Sequence, residues 1–119
     1  MNPRYLKLSL VLAALVLPTY VHAQSTGEQL VQDHNCLACH GIDRKRMGPG
    51  PPFVSIARRY AGAPQGVDYL ARAIRSGSRG HWGAIPMPAQ SGVSPDEALV
   101  IADWILKLDQ SSGDSPGKR

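Results

Sequence analysis

The sequence predicts an all-α fold. Apolar residues recur at three- and four-residue spacing in four separate stretches, two of those stretches open on capping-box patterns, and the segments between them are dense in proline and glycine. At 119 residues the chain allows one domain, and composition marks off both of its ends.

The first 23 residues read as a secretory signal peptide. Arg4 and Lys7 give a positive start, Leu8 to Leu17 form an apolar run, and Val21-His22-Ala23 supplies the small residues of a cleavage site. The run spans ten residues where a bilayer crossing needs about twenty, so no stable membrane insertion is expected after cleavage. The mature chain then begins at Gln24, in the periplasm of a bacterium. Losing Arg4 and Lys7 lowers the formal charge from +4 to +2. No long basic run with interleaved aromatics remains, which excludes nucleic acid as a partner.

Ser25-Thr26-Gly27-Glu28 predicts a helix start in which the Ser25 hydroxyl and the Glu28 carboxylate satisfy free amides. This helix should reach about Asn35, with Leu30, Val31 and His34 on one face. His34 reads as a surface or packing histidine. At its end stands Cys36-Leu37-Ala38-Cys39-His40, the C-x-x-C-H spacing by which haem is attached in c-type cytochromes. Two thiols can add across two haem vinyl groups, and the adjacent imidazole then meets the iron. A thioredoxin-like pair would want a βαβ setting and a structural zinc a second ligand pair. The chain has no third cysteine.

Arg44-Lys45-Arg46 leads into Met47-Gly48-Pro49-Gly50-Pro51-Pro52, a stiff loop. Its use would be to orient the proximal imidazole through a main-chain carbonyl, for which Pro49 is the candidate. Met47 lies too close to His40 in sequence to cross the haem edge and reads as an apolar filler. Phe53, Ile56, Ala57 and Tyr60 predict a short helix closing on Gly62, with Arg58 and Arg59 in solvent. Val67 to Ser76 predicts another, with Leu70, Ala73 and Ile74 inward and Gly77 as its left-handed stop. Arg72, Arg75 and Arg79 read as solvated, with one of them a possible partner for a haem propionate.

The next loop, Gly80 to Gln90, holds Met87 between Pro86 and Pro88. A weakly bonding thioether gains from a frame of fixed φ, which makes Met87 the candidate sixth iron ligand ahead of His81. Trp82 could donate its N–H to a propionate. Ser94-Pro95-Asp96-Glu97 then opens the last helix with a hydroxyl cap, a proline at the first turn and a reciprocal glutamate. Ala98, Leu99, Ile101, Ala102, Ile105 and Leu108 give it a broad apolar face with Trp104 beside it, expected to lie across the first helix. From Gln110 the composition predicts a disordered tail over residues 110–119.

Together CLACH, MGPG, SGSRGHWGAIPMP and DEALVIADWIL make the chain from Leu30 to Lys107 resemble the class I c-type cytochromes, in particular their short bacterial monohaem subgroup. The resemblance implies four or five helices around one covalently bound haem c in residues 24–109. It implies that Cys36 and Cys39 are the thioether cysteines, His40 and Met87 the axial ligands, Pro49 the orienting carbonyl and Trp82 the residue near a propionate. Val31, Ala73 and Gln90 depart from the subgroup's pattern. The function implied is one-electron transfer between redox proteins by a periplasmic monomer that is not an enzyme. The alternative is a dedicated haem subunit of a periplasmic dehydrogenase.

Overall fold

A computed structural model describes residues 25–45 and 48–111. The predicted signal segment, Arg46, Met47 and residues 112–119 lie outside the described residues. Thr26 opens the first helix, α1 (Gly27–Asp33): its side chain accepts from the Gln29 amide at 3.2 Å, and the Gln29 carboxamide oxygen accepts from the Thr26 amide at 2.9 Å. The capping box therefore sits one residue later than the Ser25 and Glu28 pair read from the sequence. Both registers satisfy the pattern, and packing decides between them. Gly27 lies against Trp104, where an added Cβ would come within 2.2 Å of the tryptophan Cβ. The helix also stops earlier than expected, at Asp33. Asn35 takes φ 56°, a left-handed conformation that asparagine tolerates better than most residues.

A 3₁₀ turn over Cys36–Ala38 follows, then α2 (Phe53–Tyr60), α3 (Gly66–Ser76) and α4 (Pro95–Ser111). The first amides of α2 have no side-chain cap. Those of Phe53 and Val54 donate instead to the carbonyls of Gly41 and Ile42, at 2.8 and 3.1 Å, so the segment that follows His40 caps this helix. On α3, Leu70, Ala71 and Ile74 are buried. Ala73, expected inward, is only half-buried because its side of the helix faces a cavity. Gly77 ends α3 with φ 77° and ψ 172°, a region open to glycine and strained for other residues. All of this agrees with the all-α expectation.

Helix α4 packs on α1, α2 and α3, a wider role than lying across the first helix alone. Its buried stripe is Ala98, Ile101, Ala102 and Ile105, joined by Val31, Leu30, Phe53, Ile56, Leu70, Ile74 and Val93 in one core. Leu99, expected on that stripe, is exposed. The helix runs through Gln110 to Ser111, two residues into the stretch expected to be tail. Arg58 of α2 reaches Asp109 near its end at 3.0 Å.

The start of α4 matches its sequence signature. The Ser94 amide donates to Glu97 Oε2 at 2.8 Å and the Glu97 amide to Ser94 Oγ at 3.3 Å. Bonding to the Ser94 amide, then to its hydroxyl and to His34 at 3.4 Å, holds the Glu97 carboxyl below its ordinary value. A carboxyl depressed in the folded chain stabilises it above the ordinary value, and that contribution disappears as pH falls through the depressed one. Glu97→Gln should therefore lower the urea midpoint at neutral pH, and the gap from wild type should narrow as pH falls below about 4, the ordinary carboxylate range. No helix among the described residues is long and apolar enough to cross a membrane.

Candidate functional site

A cavity of about 290 Å³ lies between α2, α3 and the loops that follow Cys39 and Ser76. Cys39, His40, Pro49, Trp82 and Met87, five of the six predicted site residues, line it. The sixth, Cys36, is half-buried and packs against the core. The two sulfurs are free thiols. Burial pushes the Cys36 thiol above its ordinary value; a backbone hydrogen bond partly opposes this, and neighbouring Cys39 adds a smaller upward push. The turn that presents them is closed by the amides of Cys39 and His40, which both donate to the Cys36 carbonyl, at 3.2 and 3.0 Å.

His40 is the one buried polar side chain of the described core. Its Nδ1 lies 2.8 Å from the main-chain oxygen of Pro51. The orienting carbonyl is thus Pro51's, and the assignment to Pro49 is corrected. Pro49 contributes to the cavity wall, while the Gly50 amide bonded to the Cys39 carbonyl at 2.9 Å turns the chain so that Pro51 faces the ring. Gly50 is required there, since an added Cβ would stand 2.7 Å from His40 Cε1 and 2.8 Å from Nδ1. A carbonyl can only accept, so Nδ1 carries the proton and Nε2 keeps a free lone pair. Phe53 lies flat against the imidazole at 5.0 Å and 14°, and meets Trp104 edge-on at 5.8 Å.

Met87 is half-buried, and more than proline holds it. Its amide donates to the Ser78 carbonyl at 2.8 Å and its carbonyl accepts from the Ser78 amide at 3.1 Å, an isolated antiparallel bridge. Gly77 lets the two segments close: a Cβ there would meet the Met87 carbonyl oxygen at 2.7 Å. Further on, the Gln90 amide donates to the Ile74 carbonyl at 3.0 Å. Ser78 carried no sequence signal, because a two-residue bridge leaves no periodicity to find.

Trp82 is exposed on the rim rather than packed in the core. The Arg59 guanidinium sits 4.6 Å from its ring centre and donates to the His81 carbonyl. Arg59 was expected in solvent, and its role at this rim has no signature in the sequence. Tyr60 and Tyr69, with ring centres 5.0 Å apart, complete the wall, and Tyr69 also meets the His81 ring edge-on at 6.1 Å.

These groups fit a flat, apolar, iron-bearing macrocycle. The walls are mostly hydrocarbon, the free Cys39 thiol stands at the edge with that of Cys36 one turn away, and an imidazole with an available Nε2 lines the cavity with a soft thioether. Among the described residues no three His, Cys, Asp or Glu side chains converge as a bare metal ion would require. A helical chain with this set of groups is built to hold a haem by covalent bonds.

Comparison with known proteins agrees. The family model for cytochrome c matches residues 24–109. The chain is 44% identical over 84 residues to cytochrome c-551 of Pseudomonas denitrificans, covering 71% of this chain and 99% of that protein. It is 43% identical over 81 residues to cytochrome c-552 of Hydrogenobacter thermophilus, covering 68% and 80% respectively. The crystal structure of wild-type Nitrosomonas europaea cytochrome c552 superposes with a TM-score of 0.65 at 42% identity, over 68% of this chain and 98% of that one. The chain belongs to the cytochrome c family. It therefore holds one haem c through Cys36 and Cys39 and carries electrons rather than catalysing a reaction of its own.

Proposed function

We propose that the protein is a monomeric, periplasmic one-electron shuttle between redox proteins, with His40 Nε2 and Met87 Sδ as the two axial ligands of its haem iron. The observation that carries the reading is a pair of donors each held by the main chain: an imidazole whose tautomer is set by the Pro51 carbonyl, and a thioether whose backbone is bridged to Ser78. Haem iron supplies a one-electron couple when bound, and the residues around it decide that it does nothing else. With both axial positions filled from the chain, no site is left for oxygen or peroxide. The soft sulfur favours the ferrous state and raises the potential.

Export rests on the charge and apolar pattern of residues 1–23. Trp82 remains the candidate donor to a haem propionate, and Pro49 serves as a wall of the pocket.

Absorption spectra of the purified holoprotein, oxidised and reduced, test the assignment. The pigment should survive acid and organic extraction, the oxidised form should show a sulfur-to-iron charge-transfer band, and the reduced form should not bind carbon monoxide at neutral pH. Ready carbon monoxide binding would remove Met87 from the iron.

A further inference from the structure

The loop from Gly77 to Met87 is held unevenly. At its base, Ser78 and Met87 exchange two main-chain hydrogen bonds and Gly77 fits beneath the Met87 carbonyl. Its tip is built differently. Gly80 and Gly83 have φ of 77° and 100°, a Cβ added at either would meet nothing within 4 Å, and every residue from Arg79 to Pro86 is exposed. Among the described contacts, the tip is tied to the helices by the edge of Tyr69 against the His81 ring at 6.1 Å and by Arg59. Two of the three interactions of Arg59 are with neighbouring tip residues. Its Nη1 donates to the His81 carbonyl while the guanidinium carbon lies 4.6 Å from the Trp82 ring centre. Tyr60 stands beside it, its ring centre 5.9 Å from the same carbon.

From this placement we propose that Arg59 is a positioning residue, a latch from α2 that keeps the tip of the Met87 loop closed over the rim of the haem cavity. It touches neither thiol, nor the imidazole, nor the thioether among the described contacts. It acts through His81 and Trp82 on the segment that carries Met87. The planar fork is suited to such a latch, because one face lies on an indole while an edge N–H reaches a carbonyl, a combination that lysine's point charge does not reproduce. Neighbouring Arg58 points elsewhere, to Asp109.

The inference rests on Met87 being an iron ligand, because its consequence is kinetic. An outside ligand can reach the iron only when the sulfur lets go and the loop swings out. Removing the latch should raise the population of that open form.

The test is the rate at which imidazole binds the oxidised holoprotein, for wild type, Arg59→Ala, Arg59→Lys and Arg58→Ala, together with urea unfolding of each. Arg59→Ala should bind imidazole about tenfold faster, a change within reach of losing one charge-assisted hydrogen bond and one cation–π contact. Arg59→Lys should recover only part of the protection, and Arg58→Ala should bind at the wild-type rate. If Arg59→Ala and Arg58→Ala speed binding equally, in step with their loss of urea stability, Arg59 is a general stabiliser and the latch is wrong. The latch is also overturned if Arg59→Ala binds at the wild-type rate while its potential acquires a new pH dependence, the mark of an arginine engaged with a propionate. Failure of the ligand assignment looks different: wild type itself would lack the charge-transfer band and bind imidazole without delay.

Discussion

Met87→Ala is expected to give a pigmented, folded protein whose oxidised spectrum has lost the charge-transfer band and whose reduced form binds carbon monoxide at neutral pH. The truncation is clean, because Met87 holds its place through main-chain bonds to Ser78 that alanine keeps. What disappears is the thioether arm beyond Cβ, and the sulfur with it. The midpoint potential should fall by on the order of a quarter of the roughly 0.8 V span that axial ligands command, since on the proposed ligation the donor favouring ferrous iron is gone. Met87→His should also lower the potential but leave the iron closed to carbon monoxide. Spectroelectrochemistry of both variants checks the pair. A Met87→Ala protein that kept its band would mean that another sulfur reaches the iron, and Met47 is the rival.

The second large effect lies in the backbone. Gly77→Ala places a Cβ 2.7 Å from the Met87 carbonyl oxygen and 3.0 Å from the Ala89 amide nitrogen, at a φ of 77° that alanine resists. Neither neighbour is the end of a flexible side chain, so the loop itself must move. Strain and overpacking together should cost about 3 kcal/mol. Gly62→Ala is the internal control. Its φ of 71° is as unfavourable, yet nothing lies within 4 Å of the added carbon, and only the left-handed penalty of about 1–2 kcal/mol should appear. Urea unfolding separates the two. Gly77→Ala alone should also weaken the charge-transfer band, because the displaced segment is the one that carries Met87.

Local signals in the sequence were strong where chemistry or capping demands a residue type at a fixed spacing. Cys36, Cys39 and His40 form such a pattern, and so do Ser94 and Glu97, whose reciprocal bonds appear in the structure as read. Met87 stands out through its flanking prolines, and the structure places it in the cavity wall. Where two registers satisfied one rule, a distant residue chose between them. Ser25 with Glu28 and Thr26 with Gln29 both make capping boxes, and Trp104 settled the matter by needing a residue without a side chain at Gly27. The Pro51 carbonyl was hidden for a related reason. In a run of three prolines and two glycines any carbonyl can be aimed at the imidazole, and the close approach of Gly50 to His40 fixes which one is. Arg59 reads as solvated because an arginine on a polar helix face, here beside Arg58, shows nothing of a loop folded against it from farther along the chain.

The three rings of His40, Phe53 and Trp104 belong to three separate parts of the chain, and the last of them is seated on Gly27 of the first helix. A haem held by His40 would therefore rest, through Phe53 and Trp104, on the contact between the two terminal helices. A chain cut short before α4 would keep both cysteines and the imidazole with its Phe53 and Pro51 neighbours, yet lose Trp104, the ring that backs Phe53 from behind.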